Sequence, residues 1–160
     1  MTAMITSPEV VPVLDSRAVE GRPSMIHAAR YIPSNSEVVQ GEDSAPTLTR
    51  IGELELVDPL VDGEDRIDGE TMRMRAIERQ AMLGLSDLAF IVPRVRRVPR
   101  DIRQYYIVFA GTTLLEYSRY RCFVCLYWDF DQRRRYLNYT RFDGKFPKEA
   151  RLARRKSAGT

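Results

Sequence analysis

The chain has 160 residues and a formal net charge of +3, and 44% of its residues are hydrophobic. This length allows one domain with a core, or a smaller domain with an arm, and the hydrophobic fraction argues against complete disorder. Two cysteines are too few for a disulfide scaffold, so an intracellular, reducing compartment is expected. Residues 1–30 lack the pattern of a signal peptide, and charges interrupt the longest apolar stretch, so no transmembrane segment is expected.

Charge divides the chain into two parts. Residues 1–70 hold 5 Arg and 14 acids, a net charge of −9, whereas residues 71–160 hold 20 Lys or Arg and 8 acids, a net charge of +12. All aromatic residues except Tyr31 lie beyond residue 85. The material for a core therefore lies mostly in the basic half, and the predicted fold is an α+β body of antiparallel strands preceded by an extended acidic arm.

In chain order, residues 1–46 are predicted to form that arm, with a short helix where Ser24 can cap residues 25–30. Residues 47–144 are predicted to form the body. Within it, residues 47–57 alternate in polarity and indicate a short strand with a slip at Gly52, and residues 58–69 form an acidic linker. Residues 145–160 are basic and show no core stripe, so they are predicted to be a tail.

One well-defined helix is predicted at about residues 69–84. Asp68 is a suitable N-cap, and Gly84 is a natural stop. The apolar residues that recur at helical spacing are Met74, Ile77, Ala81 and Leu85.

The next segment is predicted to be extended. Leu88 to Val92 is a short apolar run, and five arginines follow it between residues 94 and 103. Pro93 and Pro99 disfavour a regular helix in this stretch.

Residues 105–142 are rich in aromatic and β-branched residues and predict four strands. Residues 121–130 are apolar on both alternating faces, which suits an interior strand. A near-helical spacing in residues 101–128 is the alternative interpretation, but Thr112 and Thr113 disfavour a long helix. The residues expected to share one core are Tyr106, Phe109, Phe123 and Trp128, with Met74 and Ile77 of the helix.

No catalytic or metal motif is complete. Cys122 and Cys125 have CxxC spacing, but there is no second pair, and His27 is the only histidine, so two buried thiols are expected. Residues 58–70 lack the ligands of a calcium loop at its third and twelfth positions. The sequence therefore predicts no cofactor, no metal and no enzyme activity.

Arginines interleaved with aromatic residues are the strongest positive signal. Guanidinium groups bind carboxylates and phosphates, and rings can stack on bases. The candidate residues for binding a partner or a polyanion are Arg94, Arg96, Arg97, Arg100, Arg103, Arg119, Arg121, Arg133, Arg134, Arg135 and Arg141.

Two functions from different classes fit these features. The preferred hypothesis is a structural subunit that pairs its charges with other protein subunits of a large assembly, because no base-reading motif accompanies the arginines. The alternative is a regulatory or packaging protein that binds RNA or DNA through residues 94–103 and 133–141.

Overall fold

The computed structural model describes residues 29–39, 47–129 and 134–156. These residues form an α+β fold, as predicted, in which two short helices pack on the two faces of a mainly antiparallel sheet. The strands are β1 (Ser36–Val38), β2 (Leu54–Val57), β3 (Ile67–Asp68), β4 (Tyr106–Glu116), β5 (Tyr120–Asp129), β6 (Arg134–Arg141), β7 (Lys145–Phe146) and β8 (Ala150–Arg155). The helices are α1 (Gly69–Glu78) and α2 (Leu85–Ile91). Most of the predicted arm lies outside the described residues.

The main sheet has the strand order β2-β8-β4-β5-β6, and β1 pairs with the far end of β4. The β4–β8 pair is parallel, and the other pairs in this sheet are antiparallel. β3 and β7 form a separate two-stranded sheet. The strand interpretation of residues 105–142 is thus confirmed over its alternative, the long helix.

Gly111 lies where β4 leaves its neighbour β8. The register between β4 and β5 shifts between Phe109 and Leu114. β4 pairs with β8 only as far as Val108, and Leu83 bridges the two strands beyond that point. The Leu83 N–H donates to the Ala153 carbonyl at 3.4 Å, and its carbonyl accepts from the Gly111 N–H at 2.9 Å. A Cβ on Gly111 would overlap the Met82 carbonyl, so the close approach requires glycine.

Alternation along β5 places its side chains in two cores, one on each face of the sheet. Cys122, Val124 and Leu126 pack with α2, and Phe123 and Cys125 pack with α1. The expected single core is therefore wrong in detail: Phe109 and Phe123 are both fully buried but lie on opposite faces. Trp128 is half-buried at the margin of the α2 core, and Tyr106 is half-buried at the margin of the α1 core.

Helix α1 begins where the sequence predicts. The Asp68 carboxylate accepts from the Thr71 N–H at 2.8 Å, as an N-cap should, and this bond holds the pKa of Asp68 below its usual value. The buried side of α1 differs from the prediction, because Met74 and Ile77 are 58% and 52% exposed. The residues that face the core are Gly69, Met72 and Ala76. Gly69 lies directly against Phe142, and this contact fixes the rotation of the helix.

The predicted end of this helix is also wrong. α1 stops at Glu78, and Gln80 has a φ of 54° that breaks the helical path. Residues 81–84 then run alongside the sheet, since Leu83 bonds to two strands there. Tertiary pairing thus overrides the helical spacing of Ala81 and Leu85.

Helix α2 was not predicted. It continues into a 3₁₀ turn, Val92–Arg97, and a second 3₁₀ turn follows at Ile102–Gln104. Pro93 occupies the start of the first turn, where its missing N–H needs no partner. The prediction of an extended segment over residues 94–103 is therefore wrong.

The predicted tail contains two strands. Residues 150–155 form β8, which lies between β2 and β4 in the interior of the sheet. Ala150, Leu152 and Ala153 are fully buried on its two faces, while Arg151 and Arg154 reach carboxylates at its margin. Few apolar residues are needed here because small side chains fill the space, which explains why the sequence shows no stripe.

The strand predicted over residues 47–57 is shorter in the structure. Residues 51–53 form a 3₁₀ turn, and the strand itself is β2. Among the helices in the described part of the chain, none has the length and apolar character needed to cross a membrane.

Candidate functional site

The acidic segment supplies counterions to the chain's own arginines. Five ion pairs among the described residues join an acid of residues 53–70 to an arginine of residues 75–155. These pairs are Glu53–Arg155, Glu55–Arg154, Asp58–Arg151, Glu64–Arg75 and Glu70–Arg121. Part of the charge of the two poles seen in the sequence is therefore paired inside one chain, in the described stretch of residues 53–70.

Several of the predicted binding arginines are used within the fold. Arg141 donates to Glu116 at 2.9 Å through Nε and at 2.5 Å through Nη2, and it also lies 4.0 Å from the Tyr120 ring centroid. Arg121 pairs with Glu70 at 2.5 Å. These arginines act as structural partners of named groups.

The other predicted arginines of residues 119–141 make fewer contacts or lie outside the described residues. Arg119 is exposed and lies 5.0 Å from the Tyr120 ring centroid. Arg133 lies outside the described residues, Arg134 opens β6 opposite Asp129, and Arg135 is half-buried opposite Trp128.

Residues 94–103 form a compact surface feature that we name the basic turn. Arg103 holds it together, because its guanidinium donates to the carbonyls of Val98 at 2.9 Å, Arg96 at 3.0 Å and Val95 at 3.3 Å. Arg94 anchors its start, donating to the Phe90 carbonyl at 2.9 Å and lying 4.1 Å from the Phe90 ring centroid. Two of the five predicted arginines, Arg94 and Arg103, therefore stabilise the backbone of the turn.

The other three arginines of the basic turn point away from the fold. Arg96, Arg97 and Arg100 are exposed, and their guanidinium groups contact no acid, carbonyl or ring among the described residues. Because Arg103 and Val98 fix the backbone between them, these three cations are presented by an ordered segment. They form the candidate binding surface.

The basic turn lies at the end of the sheet where β4 begins. β5 ends at Asp129 and β6 begins at Arg134 at this same end, since Ile107 pairs with Leu126 and Asp129 pairs with Arg134. The structure therefore brings the predicted arginines of residues 94–103 and those of 134–135, at the start of β6, to one end of the sheet. Arg119, Arg121 and Arg141 belong to the opposite end.

A row of three tyrosines lies near the end of the sheet that carries the basic turn, and the sequence analysis did not predict it. Tyr106, Tyr127 and Tyr136 lie on adjacent strands, with ring centroids 5.4 and 5.5 Å apart. The Tyr106 hydroxyl lies 2.7 Å from the Thr140 Oγ1 and accepts from the Asn138 Nδ2 at 2.7 Å. Burial raises the pKa of Tyr106, so its hydroxyl stays neutral. The row depends on strand register, which the sequence alone does not give.

The two cysteines lie in a strand interior. Both are free and fully buried, on opposite faces of β5, as the CxxC spacing in an apolar strand predicts. Burial raises the pKa of each thiol to about 12. No group of three or more potential metal ligands occurs within the described ranges.

The arrangement offers binding chemistry through fixed guanidinium groups on a rigid turn. Such groups recognise carboxylates or phosphates through charged, directional hydrogen bonds. Comparison with known protein families, with curated proteins and with solved structures gives no match to this chain. The function must therefore be inferred from the site itself.

Proposed function

We propose that the protein is a non-enzymatic structural subunit that docks through its basic turn on an acidic protein surface in a larger assembly. One observation carries this proposal: Arg96, Arg97 and Arg100 are exposed without an internal partner, whereas the acids of residues 53–70 already neutralise arginines elsewhere. An ordered cationic turn loses little conformational freedom on binding, which favours specific docking.

The number of free cations favours carboxylates over nucleic acid. Three phosphate contacts would give a slope of log K against log salt concentration of about −2.7 on duplex DNA. This slope is much shallower than that of proteins with ~6–10 phosphate contacts. No base-reading motif accompanies the turn. Binding to a protein partner whose acidic residues match three guanidinium groups requires neither many phosphate contacts nor a base-reading motif.

The proposed compartment is intracellular and reducing. Cys122 and Cys125 are free thiols on opposite faces of one strand, so they are not placed to bond with each other. The contribution expected from the acidic arm concerns residues that lie mostly outside the described ranges.

Purification of the tagged full chain from its native source tests the proposal. The expected result is one or more acidic proteins that co-purify stoichiometrically and are released by moderate salt. Co-purification of nucleic acid without a protein partner would contradict it.

Nucleic-acid binding is the second candidate function, and the sheet end described above favours it. Of the residues 94–103 and 133–141 in that hypothesis, the basic turn and the start of β6 would contact phosphates at this end, beside the row of tyrosines. Arg141 lies at the opposite end and pairs with Glu116. Binding of RNA or DNA by the purified protein should then weaken with salt. The slope of log K against log salt concentration should be about −0.9 per contacted phosphate on duplex DNA and about −0.7 on single strands. Weak binding with a shallow slope would rule this candidate out.

A further inference from the structure

We propose that a cavity at the opposite end of the sheet from the basic turn binds a small molecule with one planar ring and a primary carboxamide. We name it the end cavity. Its volume is about 160 Å³, and it lies between the segment before β1, the end of β4 and the end of β6. This site goes beyond the proposed docking function and does not rest on it, because the basic turn lies where β4 begins.

Two hydrogen bonds hold the segment before β1 in place beside the sheet. The Tyr139 hydroxyl donates to the Tyr31 carbonyl at 2.7 Å, and the Tyr117 N–H donates to the Asn35 carbonyl at 2.8 Å. Pro33 lies between these two points and lines the cavity together with Asn35, Tyr117 and Tyr139. The walls are therefore in place before a ligand arrives, which lowers the entropic cost of binding.

A charged pair at the cavity leaves one hydrogen-bonding atom of each member unused. Arg141 Nε and Nη2 both donate to the same carboxylate oxygen, Glu116 Oε1, at 2.9 and 2.5 Å. Arg141 Nη1 and Glu116 Oε2 have no hydrogen-bond partner in the described part of the chain, and neither atom is sealed from solvent. Glu116 is only 8% exposed, and both residues line the cavity. A molecule in the cavity can therefore reach one donor and one acceptor, replacing the water that otherwise solvates them.

The unused atoms of this pair favour a neutral ligand. The carbonyl oxygen of a primary carboxamide can accept from Arg141 Nη1, while its amide nitrogen donates to Glu116 Oε2. Because the two charges already neutralise each other, a charged ligand would lose hydration without finding a free counter-charge. A carboxylate would also be repelled by Glu116, and an amidinium by Arg141.

The size and walls of the end cavity suit a single ring. An apolar cavity of about 150 Å³ is large enough for benzene, and the end cavity has a similar volume of about 160 Å³. Pro33, Tyr117 and Tyr139 contribute its ring-bearing walls. A planar ring would lie against these walls with its carboxamide at the charged pair, and a rigid ligand of this kind loses little freedom on binding.

The turn that carries Tyr117 has a strained backbone. Tyr117 and Ser118 both have a φ of 54°, in the tight turn between β4 and β5, where glycine or asparagine is favoured. Such strain persists where the surrounding structure holds it, often at functional sites. Tyr117 lines the end cavity and Ser118 does not, so the two positions provide a matched pair of variants.

Binding is tested on the purified full chain with three probes of one shape: benzamide, benzoate and benzamidine. Two-dimensional NMR follows the Tyr117 amide and the Arg141 Nε–H during each titration. We expect benzamide to shift both signals saturably, with a Kd of about 1 mM or below. Benzoate and benzamidine should bind about tenfold more weakly or worse, because each loses one hydrogen bond and meets a like charge.

Variants of the turn separate the cavity from its backbone strain. Tyr117→Gly removes a wall but suits the left-handed backbone, so it should weaken benzamide binding about tenfold or more without lowering the melting temperature. Ser118→Gly is the matched control, since it relieves the same strain outside the cavity and should bind benzamide as the wild type does.

A third variant tests the chemistry of the pair. Glu116→Gln keeps an oxygen for Arg141 and places an NH₂ group where Oε2 was, so benzoate should now bind more tightly than benzamide. If Glu116→Gln does not fold, the two glycine variants still decide the question.

Four results would overturn the inference. They are the absence of a saturable shift with benzamide, equal affinity for all three probes, and benzamide binding that Tyr117→Gly leaves unchanged. The fourth is a nuclear Overhauser contact between the Arg141 side chain and residues 1–28 in the free protein, which would assign the cavity to the chain's own N-terminal segment. The proposed docking function is judged separately, by co-purification through the basic turn.

Discussion

Glu55 and Arg154 lie directly opposite each other across the antiparallel β2–β8 pair, with the Arg154 Nε 2.6 Å from the Glu55 Oε2. Arg154 also donates to the Arg79 carbonyl at 3.1 Å, so one guanidinium connects the acidic segment, the end of α1 and the interior strand β8. The same logic recurs at Glu53 with Arg155 and at Glu64 with Arg75. Charge segregation along the sequence thus becomes charge pairing in the fold.

Acid should destabilise the protein through these carboxylates. Hydrogen bonds from Thr49 lower the pKa of Glu53 to about 2, and the Arg75 guanidinium lowers the pKa of Glu64 to about 2. Carboxylates with a lowered pKa contribute stability above their unfolded pKa and lose it as pH falls toward 2. Thermal melting measured from about pH 6 to pH 2 should show the melting temperature falling in that window.

The double variant Glu53→Gln/Glu64→Gln should show a flatter pH profile, because the two groups no longer titrate. Glu149→Gln is the matched control, since Glu149 is exposed and forms no ion pair among the described residues. Because both pairs lie near the surface, each contributes modestly. An unchanged profile in the double variant would show that other carboxylates control acid unfolding.

Gly111→Ala should destabilise the fold. Its Cβ would overlap the carbonyl of Met82 and the backbone of Leu83, which hold the chain between β4 and β8. Forcing extra atoms into such a site typically costs ~1–3 kcal/mol. Chemical denaturation should show this loss, while Gly52→Ala, which meets no atom within 4 Å, should be neutral or slightly stabilising. Equal stability of the two variants would contradict the described contact.

Phe123→Ala should cost more than Trp128→Ala. Phe123 is fully buried, and its ring centroid lies 4.4 Å from that of Phe142 and 6.0 Å from that of Phe146. Truncating such a residue costs ~3–5 kcal/mol, whereas Trp128 is half-buried at the margin of its core. Denaturation midpoints of the two variants provide the comparison, and a larger loss for Trp128→Ala would show that its ring lies deeper than described.

Both cysteines should be unreactive in the native protein. With a pKa of about 12, caused mainly by burial, each thiol remains protonated at pH 8 and is shielded from reagent. Ellman's reagent should therefore react at the rate of unfolding, with two equivalents released in denaturant. Because these pKa values exceed that of an unfolded thiol, their contribution to stability is present below about pH 9 and is lost as pH rises beyond it. Rapid reaction of the native protein would contradict the burial of β5.

Local signals in the sequence identified several elements correctly. Asp68 marked the start of α1 because N-capping depends on neighbouring residues, and the apolar alternation of residues 121–130 marked an interior strand because both faces are buried. The end of α1, the burial of Ala76 in place of Ile77, and the place of β8 depend on contacts distant in sequence. A pattern within one segment carries no information about such contacts.

The candidate site was partly predictable for the same reason. The density of arginine in residues 94–103 was visible, but the distinction between Arg103, which binds three carbonyls, and Arg97, which binds none, depends on the path of the turn. Pro93 suggested an extended chain, although a proline is equally suited to the first position of a helical turn. The end cavity could not be inferred, because it forms between segments that are distant in the sequence.

The most direct test of the proposed function compares three forms of the tagged chain for retention of its native partner. Arg96→Gln/Arg97→Gln/Arg100→Gln removes the free cations of the basic turn without touching Arg94 or Arg103, so the fold and melting temperature should be unchanged. The matched control changes the exposed Arg30, Arg50 and Arg66 to Gln, removing the same charge elsewhere. We predict that the partner proteins co-purify with the wild type and the control but not with the turn variant. Equal recovery of the partner proteins with all three forms would contradict docking through the basic turn.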